Sequence, residues 1–292
     1  MPVRYRSVDE DSGRWDGFPF RDGDVVISTR SKSGTTWLQM ICALLVFQTP
    51  ELPESLTRLS PWLDMLLTPL DRVMSRLEAQ PHRRFVKTHT PLDGVPVDPR
   101  ASYLVAARHP LDMAVSLYHQ GDNLDRKKMR EVIGLPEPTD PAPPRRELHD
   151  WLVSWIDDDA SHLDSMDSLP GVMWHLSDAW ARREQQNVRL VRYSDLGHNL
   201  DDEMRAIAQW LHIDVPESLW PQLVAAASFD SMRSNADRLT PNPSGVMKST
   251  AAFFRRGSSG NGAEVLTDDE LAHYHVRVAA MAPADMLDWL HG

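Results

Sequence analysis

The chain has 292 residues, of which 41% are hydrophobic, with one cysteine and a formal net charge of −11 at pH 7. This length predicts one globular domain over residues 1–292, and the acidic charge argues against nucleic acid as a partner, since a phosphate backbone needs a broad positive surface. Because no apolar run approaches the ~20 residues that span a bilayer, and because the N-terminus lacks the apolar core of a signal peptide, the sequence predicts a cytoplasmic protein without a transmembrane segment.

The first predicted element is a short β-branched strand, Val25–Ser28, which follows a turn-like Asp-Gly-Asp. A polar loop with a glycine comes next, and then a helix over residues 36–47 with apolar residues at spacings of three and four. No acidic residue lies between Asp24 and Glu51, whereas Arg30 and Lys32 fall within that window. The gap predicts a positive pocket that suits a small polyanion.

Three further strands are predicted, at residues 84–87 (RFVK), 102–107 (SYLVAA) and 188–193 (VRLVRY). Pro110 is well placed in the first turn of the helix that follows the third of these strands. Short apolar strands that alternate with helices favour an α/β fold. We therefore expect a P-loop-like three-layer α/β/α domain around a central, mainly parallel sheet, with the site at the carboxyl ends of the strands.

Two segments are predicted to lack regular structure. An irregular insertion is expected over about 120–150, with its proline-rich part at residues 134–146 (GLPEPTDPAPPRR), and a mobile Gly/Ser loop is expected over about 257–263. The insertion is either a solvated excursion or a lid or wall of a pocket.

The loop over residues 31–36 (SKSGTT) has the composition of a phosphate cradle. A strand that runs through such a loop into a helix offers several backbone N–H groups and the positive end of the helix dipole to one anion. Lys32 adds a mobile positive charge, and Gly34 lets the backbone approach closely.

A P-loop kinase or other nucleoside triphosphatase is the alternative enzyme class. In the Walker A sequence the lysine directly follows the glycine, whereas here Lys32 precedes Gly34 by two residues. Triphosphate chemistry also usually needs an acidic metal ligand at a strand end, but the second and third strands lead into Lys87 and Arg108. The sequence therefore predicts a site that needs no metal.

Residues 32–37 (KSGTTW) resemble the 5′-phosphosulfate loop of the PAPS-dependent sulfotransferases, and the resemblance extends over nearly the whole chain. In particular the chain is similar to an actinobacterial branch described as glycolipid sulfotransferases. The resemblance implies that Lys32 contacts the phosphosulfate and that Trp37 lines an adenine pocket. It implies that the phosphosulfate is held by the backbone and hydroxyls of Ser33, Gly34, Thr35 and Thr36. The family commonly has proline where this chain has Ser31.

A second motif is Lys87-Thr88-His89-Thr90-Pro91, which resembles the family's Lys-x-His-x-Pro. Residues two apart on an extended strand face the same side, so Lys87 and His89 are expected to point together into the site. An imidazole can take a proton from an acceptor hydroxyl at neutral pH, which makes His89 the candidate general base. Lys32 and Lys87 are expected to stabilise negative charge that develops during transfer.

The remaining motifs concern the donor's nucleotide. Arg108 and Ser116 resemble the family's pair that holds the 3′-phosphate, and Arg255, Arg256 and Gly257 resemble its late Arg-Lys-Gly motif. Tyr193 and Phe229 fit the family's adenine-contacting positions, although both could be ordinary core aromatics. After Gly260 the family's aromatic residue and lysine are missing, which predicts a loop that closes less firmly.

Together these motifs predict that a sulfuryl group moves from PAPS to a hydroxyl of a small-molecule, phenolic or glycolipid acceptor, and that PAP is released. A noncatalytic PAP-binding protein remains an alternative. Residues 62–67 (WLDMLL) either line the acceptor pocket or belong to the core. The sequence leaves open whether the chain forms a homodimer.

Overall fold

A four-stranded parallel sheet forms the centre of the computed structural model, which describes residues 2–136, 144–242, 244–257 and 259–292. The strands are β1 (Val25–Ser28), β2 (Phe85–Thr88), β3 (Ser102–Ala107) and β4 (Val188–Arg192), in the order β2-β1-β3-β4. Each predicted strand is present within one residue of its predicted bounds. The fourth strand stops at Arg192 because Tyr193 begins a helix.

The helices of the described residues are listed here in chain order: α1 Thr35–Phe47, α2 Leu56–Leu59, α3 Leu70–Ala79, α4 Pro110–Asn123, α5 Arg126–Ile133, α6 Leu148–Ile156, α7 Leu169–Ala181, α8 Tyr193–His198, α9 Leu200–Trp210, α10 Trp220–Ala227, α11 Phe229–Ser234, α12 Ala236–Leu239, α13 Asp268–Ala279 and α14 Ala284–His291. None of these helices is long and apolar enough to cross a membrane.

Helices cover both faces of the sheet, and successive strand residues therefore enter different cores. Val25 and Ile27 of β1 pack in a cluster with α1, α9 and α10, whereas Val26 packs on the opposite face with side chains of α3 and α7. The expected three-layer α/β/α arrangement in a single domain is thus confirmed. Its parallel strands all end at the same edge, where the loops that follow them meet.

A buried ion pair ties the starts of two strands together. The Nε atom of Arg84, which precedes β2, donates to Oδ1 of Asp24, which precedes β1, at 2.8 Å. Arg84 also donates to the carbonyl of Pro19 at 2.8 Å. Because both members of the pair are only 2% exposed, each depends on the other for compensation of its charge.

The prediction of an irregular insertion over about 120–150 is wrong in its first part. Helix α4 continues to Asn123, and α5 occupies residues 126–133. Local signals explain α5: Asp125 caps its N-terminus by accepting from the N–H of Lys128, and Gly134 ends it at φ 73°. Most of the proline-rich part, residues 137–143, lies outside the described residues.

Candidate active site

A cavity of about 440 Å³ opens at the carboxyl edge of the sheet. Its walls come from the loops after β1, β2 and β3, from the segment after β4, and from the stretch that follows α12. It brings together these sequence-predicted residues: Lys32, Gly34, Thr35, Thr36, Trp37, Lys87, His89, Arg108, Ser116, Tyr193, Phe229, Arg255, Arg256 and Gly257. Ser33 is buried and does not line the cavity.

The loop between β1 and α1 turns sharply through two left-handed residues, Lys32 at φ 61° and Gly34 at φ 104°. A Cβ atom at Gly34 would lie 2.9 Å from the ring of Tyr193, so only glycine fits there without displacement. Thr29 and Thr35 share a hydroxyl hydrogen bond across the loop. The loop therefore places the N-terminus of α1 against the cavity.

Three aromatic side chains form one end of the cavity. The Trp37 ring lies edge-on to Tyr193, with centroids 5.3 Å apart, and 6.3 Å from the ring of Phe229. The indole N–H of Trp37 donates to the carbonyl of Ala227 at 2.9 Å, which fixes the ring. Gly257 packs directly on Phe229, because a Cβ there would lie 2.5 Å from that ring.

Several cations crowd the middle of the cavity. Lys32 is surrounded by Arg108, Lys87 and Arg255, and burial together with these charges lowers the pKa of Lys32 to about 7. Burial lowers the pKa of Lys87 to about 8. Within the described residues, no ion pair engages Lys32, Lys87 or Arg255. Positive charges that fold together without carboxylate partners mark a site for a polyanion.

Arg108 links the loop between β1 and α1 to the three aromatic side chains. Its Nη1 atom donates to the carbonyl of Lys32 at 2.8 Å, and its guanidinium lies 4.3 Å from the centre of the Tyr193 ring. Ser116 follows on α4, two turns into the helix, and also faces the cavity. Arg108 and Ser116 are thus close to the arginines that follow α12, Arg255 and Arg256.

The loop after Arg256 is anchored to α4. Both oxygens of the Asp112 carboxylate accept backbone N–H groups, one from Gly260 and one from Gly262, each at 2.8 Å. A Cβ atom at Gly262 would lie 2.4 Å from Leu111, so the glycine allows close contact with the helix. The structure therefore provides an anchor at the place where the sequence predicted a less firmly closed loop.

His89 is held in one orientation. Its Nδ1 atom lies 2.5 Å from the carbonyl oxygen of Thr29, and its own carbonyl accepts from the guanidinium of Arg30. The ring packs edge-on against Trp62, with centroids 4.5 Å apart. Burial, and then the charges of Lys87 and Arg30, hold the pKa of His89 well below its usual range. The imidazole is therefore neutral at pH 7.

Lys87 lies beside this histidine, as the strand alternation predicted. Its ammonium group lies 3.6 Å above the ring of Trp62, which is a cation–π contact. Its backbone N–H donates to the carbonyl of Pro61 at 2.9 Å. Trp62 thus contacts both Lys87 and His89 and holds them on one wall of the cavity.

Sequence reasoning did not single out several polar residues that line the cavity, among them Glu10, Gln120 and Asp167. Arg30 is 3% exposed and donates to Asp167 at 2.6 Å, and Gln120 accepts from Lys32 at 3.4 Å. Arg30 lies in the acid-free window from which the sequence predicts a positive pocket, and it lines the cavity. Glu10 and Asp167 carry no local signal, because folding brings them to the site from distant parts of the chain.

Apolar side chains also line the cavity. Within residues 62–67 the two sequence interpretations each hold in part, since Trp62, Met65 and Leu67 line the cavity whereas Leu63 is fully buried in the core. The insertion also contributes to the wall, through Leu124 and Met129, and residues 163–167, which follow the insertion, line the cavity too.

Comparisons with known proteins agree with this geometry. A family model described as "Sulfotransferase domain" matches residues 22–279. A glycolipid sulfotransferase of Mycobacterium bovis is 38% identical over 307 residues, covering 99% of this chain and 94% of that protein. One of Mycobacterium tuberculosis is 38% identical over 306 residues, with the same coverage of both chains. The solved structure of mouse sulfotransferase SULT7A1 complexed with PAP has a TM-score of 0.69 at 20% identity and covers 96% of this chain and 92% of that one, which shows a shared fold.

Proposed function

The chain belongs to the sulfotransferase family, and on that premise we propose that it transfers a sulfuryl group from PAPS to a hydroxyl of a glycolipid, with His89 as the general base. One observation carries the proposal. A neutral imidazole with a fixed orientation lies in the same cavity as Lys32, Lys87 and Arg255, which form no ion pair with a carboxylate of the described residues.

The cations and aromatic rings are arranged as a sulfonucleotide would require. Lys32 and the N-terminus of α1 are available to a 5′-phosphosulfate. Arg108, Ser116 and Arg255 are available to a 3′-phosphate, for which arginine is suited by its planar, two-pronged donor geometry. Trp37, Tyr193 and Phe229 can enclose an adenine. Ser33 is buried behind the wall, and its backbone N–H already donates to the carbonyl of Arg30 at 3.2 Å.

The bound donor supplies the sulfuryl group, and the chain's own residues prepare the acceptor. Because Nδ1 of His89 faces the carbonyl oxygen of Thr29, it must be the nitrogen that carries the proton, and Nε2 is left with its lone pair. Nε2 takes the proton of the acceptor hydroxyl as the oxygen attacks. Lys87 and Lys32 stabilise negative charge on the transferred group and on the oxygen that departs with PAP.

The proposed acceptor class rests on two grounds. The Mycobacterium bovis and Mycobacterium tuberculosis relatives are named glycolipid sulfotransferases. The cavity wall is also mixed: Met65, Leu67 and Met129 are apolar, whereas Ser7 and Asp9 are polar. An amphiphile with a hydroxylated headgroup and an alkyl chain matches such a wall. A phenolic or other small acceptor would fill less of the cavity, because its apolar part is smaller than an alkyl chain.

A thermal-shift comparison tests the donor half of the proposal. PAP should raise the melting temperature without magnesium, because binding to the folded state alone is stabilising and the cations need no metal to hold the phosphates. ATP that stabilises the protein only with magnesium would instead favour the kinase or triphosphatase alternative. Tight PAP binding without transfer to any acceptor would favour a noncatalytic PAP-binding protein. Cytoplasmic location and independence from metal remain predictions, and the oligomeric state remains open.

A further inference from the structure

Glu10 has a buried carboxyl group in the cavity wall that the donor site does not use. The residue is 6% exposed and lines the cavity. Within the described residues its Oε2 atom has no hydrogen-bond partner, and no ion pair engages the side chain. A buried carboxyl without a partner costs stability, so its presence calls for a partner that arrives from elsewhere.

The backbone around Glu10 is fixed. Glu10 pairs with Met65 in an antiparallel bridge, and the N–H of Asp11 donates to the carbonyl of Asp64 at 2.9 Å. On the other side of the bridge, the N–H of Leu66 donates to the carbonyl of Asp9 at 2.7 Å. The carboxyl is therefore presented by a clamped segment, which is the preorganisation that a recognition residue needs.

Glu10 is on the acceptor side of the cavity. Its carboxyl group lies close enough to interact electrostatically with Arg30, which holds the carbonyl of His89, and with Lys87, the neighbour of His89. Trp62, which packs against both His89 and Lys87, also lines this wall and has a buried indole N–H without a partner in the described part of the chain. Two unpartnered polar groups thus occur on the wall that holds the proposed base.

The protonation state of Glu10 suits a hydroxyl. Burial raises the pKa of Glu10 to about 8, and Asp64, Asp9 and Asp167 raise it too, whereas Arg30 opposes the shift. At pH 7 the group is therefore mostly a neutral acid, which can donate one hydrogen bond and accept others. A hydroxyl group likewise both donates and accepts.

We propose that Glu10 is a specificity residue that hydrogen-bonds to a second hydroxyl of the acceptor, adjacent to the hydroxyl that is sulfated. This inference rests on the proposed sulfuryl transfer and narrows its acceptor to a molecule with neighbouring hydroxyls, such as a sugar headgroup. An acceptor with a single hydroxyl leaves the carboxyl of Glu10 without a partner.

The test compares two acceptors that share an alkyl chain, octyl β-D-glucoside below its micelle concentration and 1-octanol. Glu10→Leu should lower the ratio of kcat/KM for octyl glucoside to that for 1-octanol by roughly tenfold, mainly through a higher KM, because the bond forms in the ground state as well. Glu10→Gln, which keeps a donor and an acceptor, should lower the ratio less. Glu51→Leu, at an exposed position, should leave it unchanged.

An unchanged ratio in Glu10→Leu, or equal losses on both acceptors, would overturn the inference, as would a wild-type enzyme that sulfates octanol but not octyl glucoside. Calorimetry of octyl glucoside binding to the PAP-saturated protein separates this claim from the proposed function. If no transfer occurs with either acceptor, the proposed function fails. The binding measurement still tests Glu10 in that case. Roughly tenfold weaker binding of octyl glucoside to Glu10→Leu supports the role of Glu10, and equal binding to both proteins overturns it. The PAP affinity of each variant verifies that it is folded.

Discussion

The imidazole of His89 and the backbone carbonyl of Thr29 are joined by a 2.5 Å contact through Nδ1. Thr29 directly follows β1 and His89 directly follows β2, so the contact links the ends of two adjacent strands. The link fixes both the tautomer and the direction of the ring. It therefore connects the parallel sheet to the chemistry proposed for the site.

Replacement of His89 should separate chemistry from donor binding. We expect His89→Ala to lower sulfuryl transfer by ~10²–10⁴-fold, the usual contribution of a general base, while PAP affinity stays within a few-fold. Transfer is measured with labelled PAPS and PAP affinity by calorimetry. His198→Ala, at an exposed position on α8, is the matched control and should retain activity. Full activity in His89→Ala would remove His89 from its proposed role.

PAP affinity should fall as the pH rises above about 7. Lys32 has a pKa of about 7 in the free protein, and an anion binds more tightly to its charged form, so PAP raises this pKa and binding takes up a proton. Calorimetry between pH 7.5 and 9 in buffers of different ionisation enthalpy should detect that uptake. Lys32→Arg should reduce it, because arginine stays charged throughout this range. Proton uptake that is identical in both proteins would contradict the assignment to Lys32.

Asp112→Asn should weaken PAP binding by roughly tenfold. Each carboxylate oxygen of Asp112 now accepts one backbone N–H group. The amide of asparagine has only one oxygen to accept with, and its NH₂ group would face the other N–H. The effect would arise through the loop that follows Arg255 and Arg256. Asp125→Asn is the control, since asparagine caps a helix as well as aspartate does. Equal PAP affinities in wild type and Asp112→Asn would show that the anchor is not needed for donor binding.

Arg84→Ala should destabilise the fold by about 3–5 kcal/mol, the usual result when one member of a buried ion pair is removed. Asp24 would be left as an uncompensated buried charge. Urea unfolding measures the change. Arg100→Ala, which removes an exposed pair with Asp98, should produce no resolvable loss. A similarly small effect for Arg84→Ala would mean that water or a rearrangement compensates Asp24.

Local sequence predicts the sheet and the position of the glycine loop between β1 and α1 well, because both depend on short-range signals. Four β-branched or apolar runs correspond to the four strands, and the glycine loop after Val25–Ser28 leads directly into α1. Once parallel strands are assigned, their carboxyl ends must meet at one edge. That rule alone predicts that Lys87, His89 and Arg108 converge with Lys32.

The features that the sequence analysis did not predict are of two kinds. Some depend on contacts between distant parts of the chain, and one, helix α5, has local sequence signals. Glu10 reaches the cavity only because its segment bridges to Met65, and Asp112 becomes an anchor only when Gly260 and Gly262 fold onto α4. Helix α5, by contrast, has an aspartate cap and a terminal glycine that could have been recognised from the sequence. The proline-rich residues nearby favoured a prediction of irregular structure over the whole segment, in spite of these two signals.

The central claim is sulfuryl transfer, and a labelled-PAPS assay tests it most directly. Wild-type protein and His89→Ala are incubated with labelled PAPS and an extract of glycolipids, without magnesium, and products are read by mass spectrometry. With the wild-type protein a glycolipid should gain one sulfuryl group, and with His89→Ala that product should be lost. Label that stays in PAPS, or a product that forms equally with His89→Ala, would contradict it.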